Sequence, residues 1–217
     1  NFITGYGDPN PIPGNPDGGH GTHCAGIAAA STNNGIGVAS ISWNLSVMSI
    51  CVDGGNSFPY AWDGIIYAAE NGADIISNSW GGFAYSVADQ EVVAYATGLG
   101  SIVLAAAHNQ NYTELVYPAA YPGVISVASV NSDDTKADYS NYNVAVDISA
   151  PGGGTGGGIL STLPGNSYDA MYGTSMATPM VAGCLGLLKS WHPDWTNEQL
   201  ITQVLGTADN IDGINPG

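Results

Sequence analysis

The sequence predicts an α/β fold, a mainly parallel sheet with helices on both faces, and three observations predict it. Short, almost wholly apolar runs recur along the chain, stretches of helical spacing separate them, and the runs lack the alternating polar positions of a half-exposed strand. A strand covered on both faces reads as a continuous apolar run because both of its side-chain rows meet a helix layer. In chain order, residues 47–52 read as a strand. Residues 59–71 read as a helix, with Ala61, Ile65, Ile66 and Ala69 near helical spacing, and residues 74–79 as a strand again. Residues 87–97 are a second helix, 101–106 the next strand, and 124–130 and 144–148 two more. Residues 175–191 and 197–205 are helical, and the glycine-rich run 151–158 is a loop. No repeat or linker interrupts this order, so residues 1–217 are expected to form a single domain.

Composition sets the surroundings in which this fold works. A chain of 217 residues with 44% hydrophobic content can fill a core. Its apolar runs fall short of the roughly eighteen residues a membrane-spanning helix needs, so no such helix is expected. Lys136 and Lys189 are the only basic residues against 18 acidic ones, a net charge of -16. Such a surface repels phosphate backbones and anionic lipid heads, which argues against nucleic acid and membrane partners. Polarity comes instead from uncharged Asn, Ser, Thr and Gly, which suits a secreted protein. Cys24, Cys51 and Cys184 cannot all pair within the chain, so at least one thiol is free of an internal bridge. The opening residues NFITGYGDPN are polar and turn-rich rather than a secretory signal, and are expected to lie inside a longer gene product.

Three blocks carry chemistry. GGHGTHCAG, residues 18–26, sets His20 and His23 three positions apart with Cys24 behind them. Those side chains suit a metal site, hydrogen-bonded core groups, or a general base. IVLAAAHNQN, residues 102–111, is an apolar strand ending near Asn109, a carboxamide that can either stabilise a developing oxyanion or shape a turn. YGTSMATPMVAG, residues 172–183, places Ser175 at the mouth of a helix, where free amides and the positive end of the dipole favour an anionic oxygen. Ser175 or Thr174 can equally be a helix cap, and Pro179 is expected in an early helical turn.

These blocks, with NSWGG (78–82), TKADYSNYN, ISAPGG and STLPGNSY in the same order, resemble the subtilisin-like serine proteases from about residue 18 to residue 205. The resemblance implies a three-layer subtilisin-like fold and a serine endopeptidase acting through an acyl-enzyme. Ser175 would be the nucleophile, His20 the base, and Asn109 with the Ser175 amide the oxyanion hole, Thr174 standing beside them and His23 being structural. Ser79, Trp80 and Gly81 would pair with an extended peptide or protein substrate. The substrate's P1 side chain, the one just before the cleaved bond, would enter between that strand and Ala106 and Ala107, with Val116 at the pocket floor. His108 and Val116 stand where the family often has glycine, so a shallower pocket that disfavours bulky aromatic P1 residues is expected. In STNNGIGV, Asn34 and the carbonyls of Ile36 and Val38 would contribute to a partial Ca²⁺ site.

The family's triad acid follows an apolar strand, in Asp-Thr-Gly or Asp-Ser-Gly, well upstream of the histidine block. This sequence contains neither tripeptide, and Pro9, Pro11, Pro13 and Pro16 exclude a central strand before His20. A fold lacking the first strand or strands and the last strand and helix is therefore expected, weakly active or inactive alone, its missing N-terminal segment or propeptide a candidate partner. Asp8 and Asp17 are the only acids ahead of His20 and so the two candidates to substitute. A non-catalytic pseudoprotease that binds peptides or partners is the alternative, although serine, histidine and asparagine are all intact. An esterase of the α/β-hydrolase type is disfavoured, because GTSMA lacks the second glycine of G-x-S-x-G and His20 precedes the serine.

Overall fold

Residues 102–106, IVLAA, offer no polar side chain on either face, and in the computed structural model they are an interior strand of a parallel sheet. The structure describes residues 1–11, 15, 18–52 and 57–215. The sheet consists of β1 (Ile75–Asn78), β2 (Ile102–Ala106), β3 (Val124–Val130) and β4 (Val146–Pro151), in the order β1-β2-β3-β4 with every pair parallel. Every residue of β2 and β3 is buried.

Side-chain alternation along β2 divides the core. Val103 and Ala105 face a cluster formed with α2 (Ala61–Glu70) and α3 (Val87–Gly98), which includes Ile65, Val93, Ala96 and Tyr121. Ile102 and Leu104 face the opposite cluster, formed with α4 (Thr174–Trp191) and α5 (Asn197–Gly206), which includes Val181, Leu185 and Leu200. The expected layering of helices on both faces is thus present. α5 opens with a capping box in which Thr196 and Gln199 satisfy each other's end of the chain.

Two elements fall outside the sequence reading. The histidine block is itself a helix, α1 (His20–Ala29), and residues 159–171 form an antiparallel hairpin, β5 (Ile159–Leu163) with β6 (Ser167–Met171). HGTHCAGIAA has no side-chain N-cap and two internal glycines, so its helix depends on what it touches. Ser161 Oγ donates to the His23 carbonyl at 2.8 Å and Thr162 Oγ1 to the Thr22 carbonyl at 3.0 Å. A Cβ at Gly26 would overlap both of those hydroxyls. On the α4 side, a Cβ at Gly183 would stand 2.8 Å from Ile41 Cβ and 3.1 Å from the Ala28 carbonyl. Glycine at these two contacts lets α1 lie close to both the hairpin and α4.

Two sequence expectations need correction. Residues 47–52 run without regular secondary structure and join no strand, with Val47 and Met48 exposed. The segment packs instead through Ile50 and Val52 on Gly64 of α2, whose added Cβ would stand 3.3 and 2.7 Å from them. An apolar run supplies the side chains of a strand, but a strand also needs a neighbour for its amides. The strand read at 144–148 begins two residues later, at Val146, following the turn in which Ala145 N donates to Asn143 Oδ1. Pro179, expected in an early turn, is the sixth residue of α4. Replacing Gly26 with valine should lower stability by roughly 1–3 kcal/mol through overpacking against β5. Urea unfolding followed by circular dichroism should show a lower midpoint with an unchanged slope.

Candidate active site

Pro179 has no N–H to give the carbonyl four residues earlier, so the Ser175 carbonyl lacks its helical donor. Two other elements supply one. Ser79 Oγ, just past β1, donates to it at 2.9 Å, and Cys24 Sγ of α1 donates at 3.3 Å. The Ser175 hydroxyl lies in turn 3.4 Å from the Ser79 carbonyl. Three segments distant in sequence are joined at the first turn of α4.

Asn109 completes the group. Its Oδ1 accepts from both the amide and the hydroxyl of Thr174, each at 2.9 Å, which leaves Nδ2 as the donor. Thr174 is fully buried, and its hydroxyl also receives the His108 amide at 3.2 Å. His20, Asn109 and Ser175 line one cleft of about 340 Å³ together with Ala170, Met171, Tyr172 and Met176. A hydroxyl, an imidazole and a carboxamide donor facing one space can carry out nucleophilic attack, proton transfer and oxyanion stabilisation.

The other site residues divide by position. Ser79, Trp80 and Gly81 run beside Ser175 as half-buried backbone, and Ala106, Ala107 and Val116 are buried behind them. Val116 lies against Gly81, its Cγ1 3.0 Å from where a Cβ there would stand. Sequence reasoning missed the cleft wall at residues 170–172, whose only signal was adjacency to the serine block. It also missed a clamp on the turn after Asn109. Buried Asn141 accepts the Gln110 and Tyr112 amides on its Oδ1 at 3.0 and 3.1 Å, and Lys136 Nζ holds Asn111 Oδ1 at 2.7 Å.

His20 and His23 part company within α1. His23 is fully buried with Nε2 3.1 Å from the Asp169 carbonyl, a core contact between α1 and β6. No group of three His, Cys, Asp or Glu side chains is placed to hold a metal among the described residues. Cys24 Sγ lies 4.0 Å from His20 Nε2, and burial pushes its thiol from 9.0 up to about 11. Cys24, Cys51 and Cys184 are all free thiols.

Of the two acids ahead of His20, Asp8 sits in an exposed turn where its Oδ1 accepts from the amide and side chain of Asn10 at 3.0 and 2.7 Å. Asp17 lies outside the described residues. Asn34, Ile36 and Val38 line a second cleft, of about 360 Å³. The Asn34 Oδ1 is turned onto the Ile36 amide at 3.0 Å, and no carboxylate occurs between residues 18 and 52. Three neutral oxygens fall short of the six to eight that Ca²⁺ takes, so this loop alone does not fit the ion.

The sequence matches the pattern described as the subtilase family, peptidase S8, over residues 1–215. Thermitase from Thermoactinomyces vulgaris is 43% identical over 209 residues, which cover 95% of this chain and 72% of thermitase. Subtilisin amylosacchariticus from Bacillus subtilis subsp. amylosacchariticus is 43% identical over 196 residues, which cover 87% of this chain and 50% of that protein. The fold matches a protease from Pseudoalteromonas arctica PAMC 21717 with a TM-score of 0.85 and 34% identity, covering 96% of this chain and 72% of that one.

The raised Cys24 pKa has a consequence for stability. The folded state keeps the proton above the thiol's unfolded value of 9.0, so stability should fall as pH rises from 9 to about 11. Urea midpoints across that range should decline more in the parent chain than in Cys24→Ala.

Proposed function

On the premise that the chain belongs to the subtilase family, we propose that it hydrolyses peptide bonds through an acyl-enzyme on Ser175. The convergence of Ser175, His20 and Asn109 on one cleft carries this reading. An extended peptide lies along Ser79–Gly81 and brings its scissile carbonyl to the Ser175 hydroxyl. Oγ attacks the carbonyl carbon while His20 takes the hydroxyl proton. The carbonyl oxygen becomes an oxyanion, held by Asn109 Nδ2 and the Ser175 amide. Thr174 supports this role, since it occupies Asn109 Oδ1 and so fixes which end of the carboxamide donates. The C–N bond breaks as His20 passes its proton to the leaving amine. Water then attacks the acyl-enzyme by the same route and frees Ser175.

Full activity requires a carboxylate to orient His20 and stabilise its charged form. The sequence holds no Asp-Thr-Gly or Asp-Ser-Gly, and it spans about half of subtilisin amylosacchariticus. A carboxylate set against the imidazole does both, whichever segment of the protein supplies it. In subtilisin, loss of the triad acid alone costs on the order of 10⁴-fold in rate. The acidic, lysine-poor composition fits work outside the cell.

Incubation with a fluorophosphonate followed by intact mass should give one adduct, absent from Ser175→Ala. Absence of the adduct from the parent chain would identify a non-catalytic peptide binder. On a chromogenic peptide, Asn109→Ala should lower kcat by roughly 10²–10³-fold.

A further inference from the structure

A substrate carbonyl between Ser175 and Asn109 is flanked by the continuations of β1 and β2, and the inference here rests on that reading of the site. Parallel pairing of the two strands ends at Asn78 and Ala105. Beyond that pair the chains find different partners. The Ala107 amide donates to the Val127 carbonyl at 2.9 Å, while Gly82 and Tyr117 exchange two backbone hydrogen bonds of 2.8 and 2.7 Å. Residues 79–81 and 106–108 therefore do not pair with each other at the carboxyl end of the sheet, where the crevice that takes ligands in such sheets lies. Ala106 and Ala107 carry only methyl side chains.

His108 reaches across this crevice. Its Nε2 lies 3.3 Å from the Gly81 carbonyl, and its Nδ1 is against Gln110 Oε1. The Phe83 ring flanks the imidazole with centroids 5.9 Å apart. A Cβ at Gly81 would stand 3.5 Å from His108 Cδ2 on one side, and 3.0 Å from Val116 Cγ1 and 2.9 Å from the Tyr117 carbonyl on another. His108 holds this position at φ 83°, a left-handed conformation that favours glycine. Strain of this kind persists where surrounding contacts over-determine it, and it concentrates at functional sites.

We propose that His108 determines specificity: its imidazole spans the crevice between residues 79–81 and 106–108 and restricts P1 to glycine, alanine or serine. An aromatic P1 side chain has to displace the ring and forfeit its contacts with Gly81 and Gln110. Glycine at position 108 relieves the backbone and opens the crevice.

The test compares binding of two N-acetyl tetrapeptide acids, ending in alanine or phenylalanine and otherwise identical, by calorimetry on the intact chain. Such product-type ligands occupy the P1 side without requiring an activated serine. The parent chain should bind the alanine peptide at least tenfold more tightly, and His108→Gly should shrink that ratio about tenfold by strengthening the phenylalanine peptide. His108→Asn, which tolerates a left-handed backbone but lacks the reach, should behave similarly and guards against a glycine-specific folding defect. A ratio unchanged within twofold in both folded variants, or a parent preference for phenylalanine, overturns the proposal. Fluorophosphonate labelling separates this failure from that of the underlying reading: a labelled Ser175 with an unchanged ratio sinks the role of His108 alone. Loss of both labelling and peptide binding sinks the peptidase reading and this inference together.

Discussion

The Ser175 carbonyl, left without a helical donor by Pro179, is the point on which the site depends. In an uninterrupted helix the amide of residue 179 would close on that oxygen and the first turn of α4 would be self-sufficient. Here the oxygen accepts from Ser79 and Cys24, so α4 is tied to the end of β1 and to α1. A buried carbonyl without a donor is costly, which makes these side chains a substitute rather than an addition. The same arrangement sets the Ser175 hydroxyl near the Ser79 carbonyl and His20 on the cleft wall.

Close packing makes that meeting possible. α1 is a poor helix by its own sequence, and it forms where the hydroxyls of Ser161 and Thr162 hold its carbonyls and where Gly26 and Gly183 admit the hairpin and α4. His23, buried one turn after His20, bonds to the β6 backbone and fixes the helix's rotation about its axis. The cleft is thus bounded by elements that anchor one another rather than by free loops.

On the other side of the site, a polar clamp supports the asparagine. Asn141 and Lys136 secure the turn that follows Asn109, and Thr174 secures the carboxamide itself. In a chain with only two lysines against 18 acids, one ammonium is committed to this turn. The turn also places His108 at a left-handed φ, so the residue ahead of the asparagine reaches toward Gly81.

The sequence by itself determined the layered α/β arrangement, because apolar runs such as IVLAA and VISVASV have no polar face to give to water. It also singled out His20, Asn109 and Ser175, whose short blocks carry distinctive residues in a recognisable order and which the fold brings to one cleft. It misread residues 47–52, because apolar side chains do not reveal whether a neighbouring strand is present to pair with. It missed α1, whose helix comes from contacts 130 or more residues away rather than from propensity or capping, and it saw no meaning in Pro179 beyond tolerance near a helix start. Only the tertiary structure decided which donors replace the lost amide, which way the Asn109 carboxamide points and where the His108 ring lies. Each of those depends on atoms that meet across the fold, and distance in space is not written in the order of residues.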